Sequence, residues 1–415
     1  MEKGNMIKQN YVLPLVIIAI LFYVIGFGVG ISGFLTPFLQ DALHLEVSQS
    51  YLITAAIFSA FVLFGSPAGW IIKKAGYKKS IFLALIIMAL GMILFVPSAK
   101  YESFPVFLIA LFISGIGNTL LQASVNPYVT IVGPVESAAM RMCLMGIMNK
   151  LAWWLGPLFL GLFLNLKDVR LDQIYLPFYL VTGILLALSV FIYFSKLPEV
   201  KAEGEDENIQ TIKTGEKKGH LSQYPHLIMG IIALFLYVGV ETLPMTSIIG
   251  YAKAAFGGDI ANPEKYALYV PLGMFTGYIS GVILIPKILS QVTALRIFAL
   301  IGIIGSTALI IFPADMGIYA FSLIGFANSI MWGAIWPLSI SGLGNYTKTG
   351  SSFLVMSIVG GAIIPLLFGF ILDIIKTGSQ PSVDNYQNAY WIFIPAYLFI
   401  LFFGMSGYTV GRNKE

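Results

Sequence analysis

Twelve long apolar runs divide this chain, and they constrain its fold more than any other feature of the sequence. Each run is close to the ~20 residues that an α-helix needs to cross the hydrocarbon core of a bilayer. Six runs precede a polar stretch near the middle of the chain, and six follow it. The runs are 11–38, 51–72, 80–98, 104–128, 138–164, 175–194, 226–252, 266–285, 294–312, 317–343, 351–375 and 389–410.

These runs are predicted to be membrane-spanning helices rather than strands of an outer-membrane barrel. Barrel strands alternate apolar and polar residues in segments of ~10 residues, whereas residues 81–97 are continuously apolar. Over the whole chain 58% of the residues are hydrophobic and 11% are charged, which excludes a soluble globular domain. The expected fold class is therefore all-α, a polytopic membrane protein with twelve transmembrane helices in two six-helix bundles.

The polar stretch at 198–225 is predicted to be a solvated linker between the two bundles. It carries charges of both signs, in Glu203, Glu205, Asp206, Glu207, Lys213, Lys217 and Lys218. The sequence therefore predicts an N-terminal bundle at 1–197 and a C-terminal bundle at 226–415.

The basic residues predict how the chain is oriented, because Lys and Arg collect in short loops on the cytoplasmic side. With the N-terminus inside, 17 of the 24 Lys and Arg residues fall on the inner side and six on the outer side. The remaining one, Lys150, lies inside a run. We therefore expect a protein of the cytoplasmic membrane with both termini in the cytoplasm. The net charge of +4 reflects loop lysines, so no nucleic-acid partner is expected.

The two halves of the chain repeat each other weakly but consistently. At an offset of 210 residues, Asn118 and Pro127 of the fourth run fall on Asn328 and Pro337 of the tenth. Internal repeats are the sequence trace of many secondary transporters, whose substrate site lies near the midplane between the repeats. The repeat therefore favours a transporter with one central site.

Polar and aromatic side chains follow one face of the fourth and tenth predicted helices, since residues four apart share a helix face. The two stripes are Asn118, Gln122 and Asn126, and Asn328, Trp332 and Trp336. Amides can donate to one sugar hydroxyl and accept from another, and an aromatic ring packs on the apolar face of a pyranose. We expect the stripes to be facing walls of a sugar-binding cavity. The alternatives are hydrogen bonding between helices by the amides and packing of the indoles against lipid.

Glu241 and Lys150 are the two charged residues placed deep inside predicted spans. Glu241 lies near the middle of the apolar stretch 227–249. In the repeat, the equivalent position of the first half is Ser32. A charge at the bilayer centre costs at least ~2.5 kcal/mol on insertion scales, so it faces a partner or a cavity and marks a functional site. We expect the two residues to interact during transport. A static ion pair that only makes two buried charges tolerable is the alternative.

An intramembrane enzyme is the competing class of function. The sequence contains neither G-x-S-x-G nor H-E-x-x-H, patterns that are typical of serine hydrolases and zinc peptidases. We expect no enzymatic activity, no metal site and no cofactor, because a transporter accounts for the runs, the repeat and the buried charges together.

Several motifs resemble those of the fucose permease and glucose/galactose permease group of the major facilitator superfamily, and the similarity runs through most of the chain. The most specific match is the fourth-run signature at 121–130, with Gly133 and Pro134 after it. A second match is the stretch at 336–352. The resemblance implies the major facilitator fold, two pseudo-symmetric six-helix bundles, and transport of a sugar.

The loop after the second run is similar to the gating signature of that superfamily, G-x-x-x-D-[RK]-x-G-[RK]-[RK]. The matching positions are Gly69, Lys73, Lys74, Gly76, Lys78 and Lys79. Lys73 stands where the signature has an acidic residue, so the family's salt bridge from that position is not expected in this chain.

Two departures from the family bear on energy coupling. Fucose permeases have proton-linked carboxylates in the first and fourth spans, and this chain has Ser32 and Gln122 at the corresponding positions. Glu241 matches the acidic residue of the seventh-span pattern Y-V-G-A-E, and Asn149-Lys150 match an N-K variant of the fifth span. These features are closer to the glucose/galactose branch. The resemblance implies Asn149 as a further sugar contact and Glu241 with Lys150 as the ion-coupling residues.

The expected function is import of a glucose-like or galactose-like hexose by proton symport with alternating access. Sodium coupling, uncoupled facilitated diffusion, and transport of fucose or an N-acetylhexosamine stay open as alternatives. The expected partners are the sugar, the coupling ion and the lipid bilayer, and the protein is expected to act as a monomer.

Overall fold

The computed structural model describes residues 12–45, 47–164, 170–201, 223–257, 263–376, 378 and 381–411. In this part of the chain the regular elements are helices, with no strand among them. Twelve helical segments are long and apolar enough to cross a bilayer. The expected count of spans is therefore confirmed.

Sixteen described α-helices build the twelve spans, because four spans are each formed by two helices in succession. In the N-terminal half they are α1 (Val12–Ala42), α2 (Val47–Ala75), α3 (Tyr77–Ile93), α4 (Phe95–Lys100), α5 (Phe104–Ile131), α6 (Ala138–Gly161) and α7 (Tyr175–Phe194). In the C-terminal half they are α8 (Pro225–Phe256), α9 (Tyr269–Leu284), α10 (Gln291–Ile311), α11 (Ala314–Asn328), α12 (Met331–Ile340), α13 (Thr347–Met356), α14 (Gly360–Ile375), α15 (Val383–Ala389) and α16 (Phe393–Met405). The two-helix spans are α3–α4, α11–α12, α13–α14 and α15–α16.

The sequence repeat is visible as one hydrogen bond made in the same way in each half. Asn118 of α5 donates through Nδ2 to the carbonyl oxygen of Ile25 in α1, at 3.3 Å. Its repeat mate Asn328 of α11 donates to the carbonyl oxygen of Val240 in α8, at 2.9 Å. Each half therefore ties its fourth span to its first through the same amide position.

Helix α6 lies directly on α1 because two glycines of α1 leave room for it. A Cβ on Gly30 would lie 2.9 Å from the Cα of Trp153, and one on Gly26 would collide with the backbone of Asn149. The side chain of Asn149 donates to the carbonyl oxygen of Phe22, at 3.3 Å. These contacts fix the depth of the fifth span beside the first.

The two halves are in contact at the end of the molecule where α7 ends and α8 begins, which we call the linker end. A Cβ on Gly69 of α2 would lie 2.5 Å from the Oγ of Ser352 in α13. Nearby, the Nζ of Lys348 lies 5.4 Å from the centroid of the Tyr77 ring. The second and eleventh spans therefore meet across the seam between the halves.

A second contact at this seam joins the fifth span to the eighth and tenth. A Cβ on Gly281 of α9 would lie 2.6 Å from the Sγ of Cys143, and one on Gly333 of α12 would lie 3.0 Å from the Cβ of Met142. The described parts of the two halves are thus closed against each other toward the linker end.

The predicted domain boundaries at 197 and 226 fall close to the end of α7 at Phe194 and the start of α8 at Pro225. Residues 202–222 of the predicted linker lie outside the described residues. The division of the chain at these boundaries stays a prediction.

Candidate functional site

An ion pair crosses the seam between the two halves of the molecule. The Nζ of Lys150, on α6, lies 2.9 Å from the Oε1 of Glu241, on α8. The exposed fractions of the two side chains are 16% and 13%, so the pair is largely but not fully withdrawn from solvent. The structure thus brings together the two charges that the sequence placed inside different spans.

Three tyrosines lie near enough to Glu241 for its charge to act on their hydroxyl groups. One of them is Tyr237, one turn earlier on α8. Tyr278 of α9 and Tyr397 of α16 are close enough for the charge of Glu241 to act on their hydroxyl groups. On the other side of the pair, the Nζ of Lys150 lies 5.0 Å from the centroid of the Trp153 ring, a cation–π distance.

The sequence offered one usable signal for these tyrosines. Tyr237 precedes Glu241 by four residues, the spacing that puts two side chains on one helix face. Tyr278 and Tyr397 come from spans that no pattern connects to Glu241, so sequence reasoning missed them.

The amide stripe of α5 forms a connected ladder along one helix face, as its spacing predicted. Gln122 donates to the Oδ1 of Asn118 at 2.9 Å, and Asn126 donates to the backbone oxygen of Gln122 at 2.9 Å. All three side chains are buried. Because the ladder is hydrogen-bonded within itself, a sugar would have to exchange some of these bonds for its own.

A neutral bridge crosses the seam beside the ion pair. The Nε1 of Trp332, on α12, donates to the Oδ1 of Asn126, on α5, at 3.1 Å. The ring of Trp332 packs 5.2 Å from that of Trp336 and 6.3 Å from that of Tyr237. Trp332 therefore faces the other half of the protein rather than lipid.

Trp336 is fully buried, one turn beyond Trp332 on the same helix. Its Nε1 has no hydrogen-bond partner within the part of the chain that the structure describes. An unpaired buried donor costs free energy, typically ~1–3 kcal/mol. This indole is therefore a donor that a bound hydroxyl group could satisfy.

Asn328 has a different environment from the one predicted for a sugar contact. It is fully buried, its Nδ2 donates to the carbonyl oxygen of Val240, and its Oδ1 accepts from the hydroxyl of Tyr397 at 2.8 Å. Both ends of the amide are engaged, so in this conformation Asn328 makes bonds between helices, the alternative to a sugar contact. Asn118 likewise bonds across to α1.

The candidate gating loop lies at the linker end. Lys73 and Lys74 occupy the last turn of α2, with the Nζ of Lys74 at 4.0 Å from the centroid of the Trp70 ring. Gly76 joins α2 to α3 with a φ of 80°, a left-handed conformation that favours glycine. Lys79 is an exposed residue in the first turn of α3.

Glu199 supplies a carboxylate to this loop although Lys73 replaces the acidic residue of the family signature. Its side chain accepts hydrogen bonds from the backbone N–H groups of Tyr77 and Lys78, at the start of α3. The Nζ of Lys78 donates to the carbonyl oxygen of Ser195, at 2.6 Å. Sequence reasoning missed Glu199 because it assigned this residue to the linker.

Metal-ligating side chains do not cluster among the described residues, where no group of three or more His, Cys, Asp or Glu could hold an ion. Around the ion pair the described groups are a carboxylate, an ammonium, neutral amides and aromatic rings.

Comparison with known proteins places this architecture in a family. The model of the Major Facilitator Superfamily matches residues 16–363. The chain belongs to this superfamily. As a superfamily member it is a transporter rather than an enzyme, as the sequence predicted.

The relatives of this superfamily member include sugar carriers. It is 31% identical over 409 residues to the glucose/galactose transporter of Brucella abortus biovar 1 (strain 9-941), which covers 96% of this chain and 95% of that protein. It is 28% identical over 419 residues to the L-fucose-proton symporter of Escherichia coli (strain K12), which covers 95% of this chain and 93% of that protein.

Among solved structures, the crystal structure of the superfamily transporter FucP in the outward conformation matches with a TM-score of 0.81. The sequence identity is 25%, and the match covers 95% of this chain and 99% of that chain. The expected twelve-helix major facilitator fold and the resemblance to fucose and glucose/galactose permeases are both confirmed.

Proposed function

We propose that this carrier imports a hexose together with a proton across the cytoplasmic membrane by alternating access. The observation that carries the proposal is the Lys150–Glu241 ion pair, because it puts a titratable carboxylate at the seam between the halves. The relatives named as glucose/galactose transporters and as an L-fucose-proton symporter support the sugar and the proton. Glucose or galactose is the proposed substrate, since the motifs are closer to that branch.

We place the linker end and both termini in the cytoplasm, because 17 of the 24 basic residues fall on that side. The halves touch at the linker end through Gly69 and Ser352, and through Cys143 and Gly281. In that orientation the carrier is closed to the cytoplasm. We therefore assign the conformation as outward-facing.

The proposed sugar contacts are the amides and indoles that line the seam. Gln122, Asn126 and Asn149 offer donors and acceptors from the N-terminal half. Trp332 and Trp336 offer ring faces and N–H donors from the C-terminal half. The amide nitrogens of Asn118, Asn149 and Asn328 would contact sugar only after giving up their present interhelical bonds. Asn126 would do so only after releasing Gln122 or Trp332.

A proton fits the ion-coupling residues better than sodium does. A sodium ion at Glu241 would share the carboxylate with the ammonium of Lys150, whose Nζ lies 2.9 Å from Oε1, and two cations held by one carboxylate repel each other. A proton that neutralises the carboxylate meets no such repulsion, because the pair then simply separates. Sodium coupling and uncoupled diffusion are outcomes that the experiment distinguishes.

The first experiment is an uptake panel with purified protein in proteoliposomes. Glucose, galactose, fucose and N-acetylglucosamine are offered with and without a proton gradient, with a protonophore, and with sodium replaced. We expect saturable uptake of glucose or galactose that the protonophore abolishes and sodium replacement leaves unchanged. Uptake that the protonophore does not affect would overturn proton coupling.

Glu241→Gln tests whether Glu241 is the proton site. The substitution keeps the shape of the side chain and removes its titration, so uphill, proton-driven accumulation should be lost while sugar counterflow survives. A static ion pair predicts instead an unstable protein that Lys150→Met rescues. The control is Asp373→Asn, which removes an exposed carboxylate 2.6 Å from Lys376 and should leave accumulation unchanged.

A further inference from the structure

The ammonium of Lys150 lies between a carboxylate and an aromatic face. Its Nζ is 2.9 Å from the Oε1 of Glu241 and 5.0 Å from the centroid of the Trp153 ring. An ammonium has three N–H donors and no acceptor. Since 16% of the side chain is exposed, part of its donor capacity can be directed at a ligand in the seam.

The charged and titratable groups that face Glu241 come from four helices. They are Lys150 on α6, Tyr237 on α8 itself, Tyr278 on α9 and Tyr397 on α16. The phenols are uncharged near neutral pH, and the ammonium is the one cation in this group. When Glu241 is protonated, none of these described neighbours offers Lys150 a negative charge.

We propose that Lys150 itself binds the sugar. Its ammonium donates a hydrogen bond to a sugar oxygen once Glu241 has taken up a proton. This inference rests on the proposed function and adds a second role for Lys150 beyond pairing with Glu241. A hydrogen bond from a charged donor is roughly twice as strong as one between neutral groups. Trp153 lies three residues after Lys150, so α6 presents an ammonium and an indole on one face.

This role explains why a proton and a sugar cross together. In the empty carrier Lys150 and Glu241 neutralise each other, so the halves can close over the pair. With a proton alone the ammonium has lost its partner, and burying a charge that has neither a counter-ion nor a hydrogen bond is costly. With sugar alone the ionised carboxylate keeps the ammonium, and the sugar lacks its hydrogen bond from Lys150. The empty and the doubly loaded carrier are therefore the forms that close.

The sign of the pH dependence follows from the competition for Lys150. When Glu241 carries a proton the carboxyl group is neutral, and the ammonium is available to the sugar. As the pH rises and Glu241 ionises, the carboxylate takes the ammonium back. The sugar affinity of the wild-type protein should therefore fall with rising pH.

The experiment compares two variants that both abolish the titration of Glu241. Glu241→Gln leaves the ammonium without a competitor, whereas Glu241→Gln with Lys150→Met also removes the ammonium and leaves no unpaired charge. Binding of D-glucose and D-galactose to the purified full-length protein is measured by isothermal titration calorimetry from acidic to alkaline pH. We expect Glu241→Gln to bind equally well at every pH, and the double variant to bind about tenfold or more weakly throughout.

The matched control removes an exposed ion pair of the same kind, with Asp373→Asn and Lys376→Met, and should keep the wild-type pH profile.

Where Glu241→Gln alone is too unstable to measure, the same question is decided by comparing the sugar affinity of the double variant with that of the wild type at acidic pH. Equal affinity of the double variant and the proton-loaded wild type would overturn the inference, as would a flat wild-type profile beside good binding. Lys150 would then be only a counter-ion. A wild type that neither binds nor transports any sugar of the panel would remove the proposed function, and this inference with it.

Discussion

At the scale of single residues, the indole of Trp332 joins the two halves without using a charge. Its N–H group donates a hydrogen bond to the Oδ1 of Asn126 at 3.1 Å, while its ring packs against Trp336 and Tyr237. The polar edge and the apolar faces of the ring therefore have separate partners. Both kinds of contact are available to a sugar, which has hydroxyl groups around an apolar ring face.

Substitutions at Trp332 can separate the two contributions. Trp332→Phe keeps an aromatic ring and loses the donor, whereas Trp332→Ala loses both. We expect Trp332→Ala to weaken sugar binding by about 1 kcal/mol more than Trp332→Phe does, roughly fivefold in Kd. Equilibrium binding measures the difference, with the exposed Trp391→Phe as the control. Two small and equal effects would show that this ring does not touch the sugar.

The sequence predicted those residues of the candidate site whose type is rare inside a membrane span, and their role in transport stays a prediction. Glu241 and Lys150 could be found because a charge deep inside an apolar run needs a partner. Tyr278 and Tyr397 could not, since tyrosine is also common in spans as an interfacial anchor and has no spacing that links it to Glu241. The amides of the stripe were found, but spacing alone does not tell an amide that faces a ligand from one that bonds another helix.

At the scale of elements, Arg141 holds the corner between α5 and α6. Its guanidinium donates to the carbonyl oxygens of Val129 and Thr130, both at 3.0 Å, to that of Pro134 at 2.8 Å, and to the Oγ of Ser137 at 2.6 Å. The last carbonyl groups of a helix lack partners within the helix, and its C-terminus favours a cation. One buried side chain thus ends α5 and sets where α6 starts.

Arg141→Lys should destabilise this corner while keeping the charge. A lysine cannot reproduce the planar fork, so at least two of the four bonds are lost. We expect an apparent loss of about 3 kcal/mol in the free energy of unfolding, at ~1.5 kcal/mol for each bond to a charged group. Thermal unfolding in detergent measures it. Arg170→Lys, at an exposed arginine 3.6 Å from Asp172, is the control and should leave the unfolding temperature unchanged.

The start of the twelfth span and a break inside the tenth differ from the prediction. The twelfth span begins at Val383 rather than 389, because Ser382 and Asn385 form a capping box that starts a helix in a polar segment. The tenth span is broken between Asn328 and Met331, although no Gly or Pro marks the break. At the break, Ser329 donates back to the carbonyl oxygen of Phe326 at 2.7 Å.

At the scale of the whole molecule, the single cysteine lies where the halves must part. Cys143 is buried against Gly281, in the contact between α6 and α9 at the linker end. Labelling of Cys143 by a small, membrane-permeant maleimide should be slow in the present conformation. It should become at least severalfold faster when sugar and a proton gradient drive the carrier to open toward the linker end. Cys143→Ser is the control that should show no labelling, and a rate that is the same in all conditions would place this contact outside the gate.

The global architecture was predictable because it follows from hydropathy, length and charge, which are properties of each segment by itself. Which end is closed was not predictable. The open and closed arrangements of a carrier differ by a few kcal/mol and bury the same seam residues at different times. Gly69 belongs to the gating signature, but the signature does not say in which conformation its contact forms, and no motif distinguishes the contact of Cys143 from ordinary helix packing.

The two chain ends that flank the linker are each fastened to their own half. On the N-terminal side, Pro198 accepts from the hydroxyl of Tyr128 at 2.8 Å, and Glu199 holds the start of α3. On the C-terminal side, the Nε2 of His226 lies 3.1 Å from the carbonyl oxygen of Ser341. The peptide chain between the halves therefore keeps one N-terminal half with one C-terminal half. It does not set how the two halves are positioned against each other. The anchoring contacts on each side are made inside one half, so they do not depend on the chain that joins the halves.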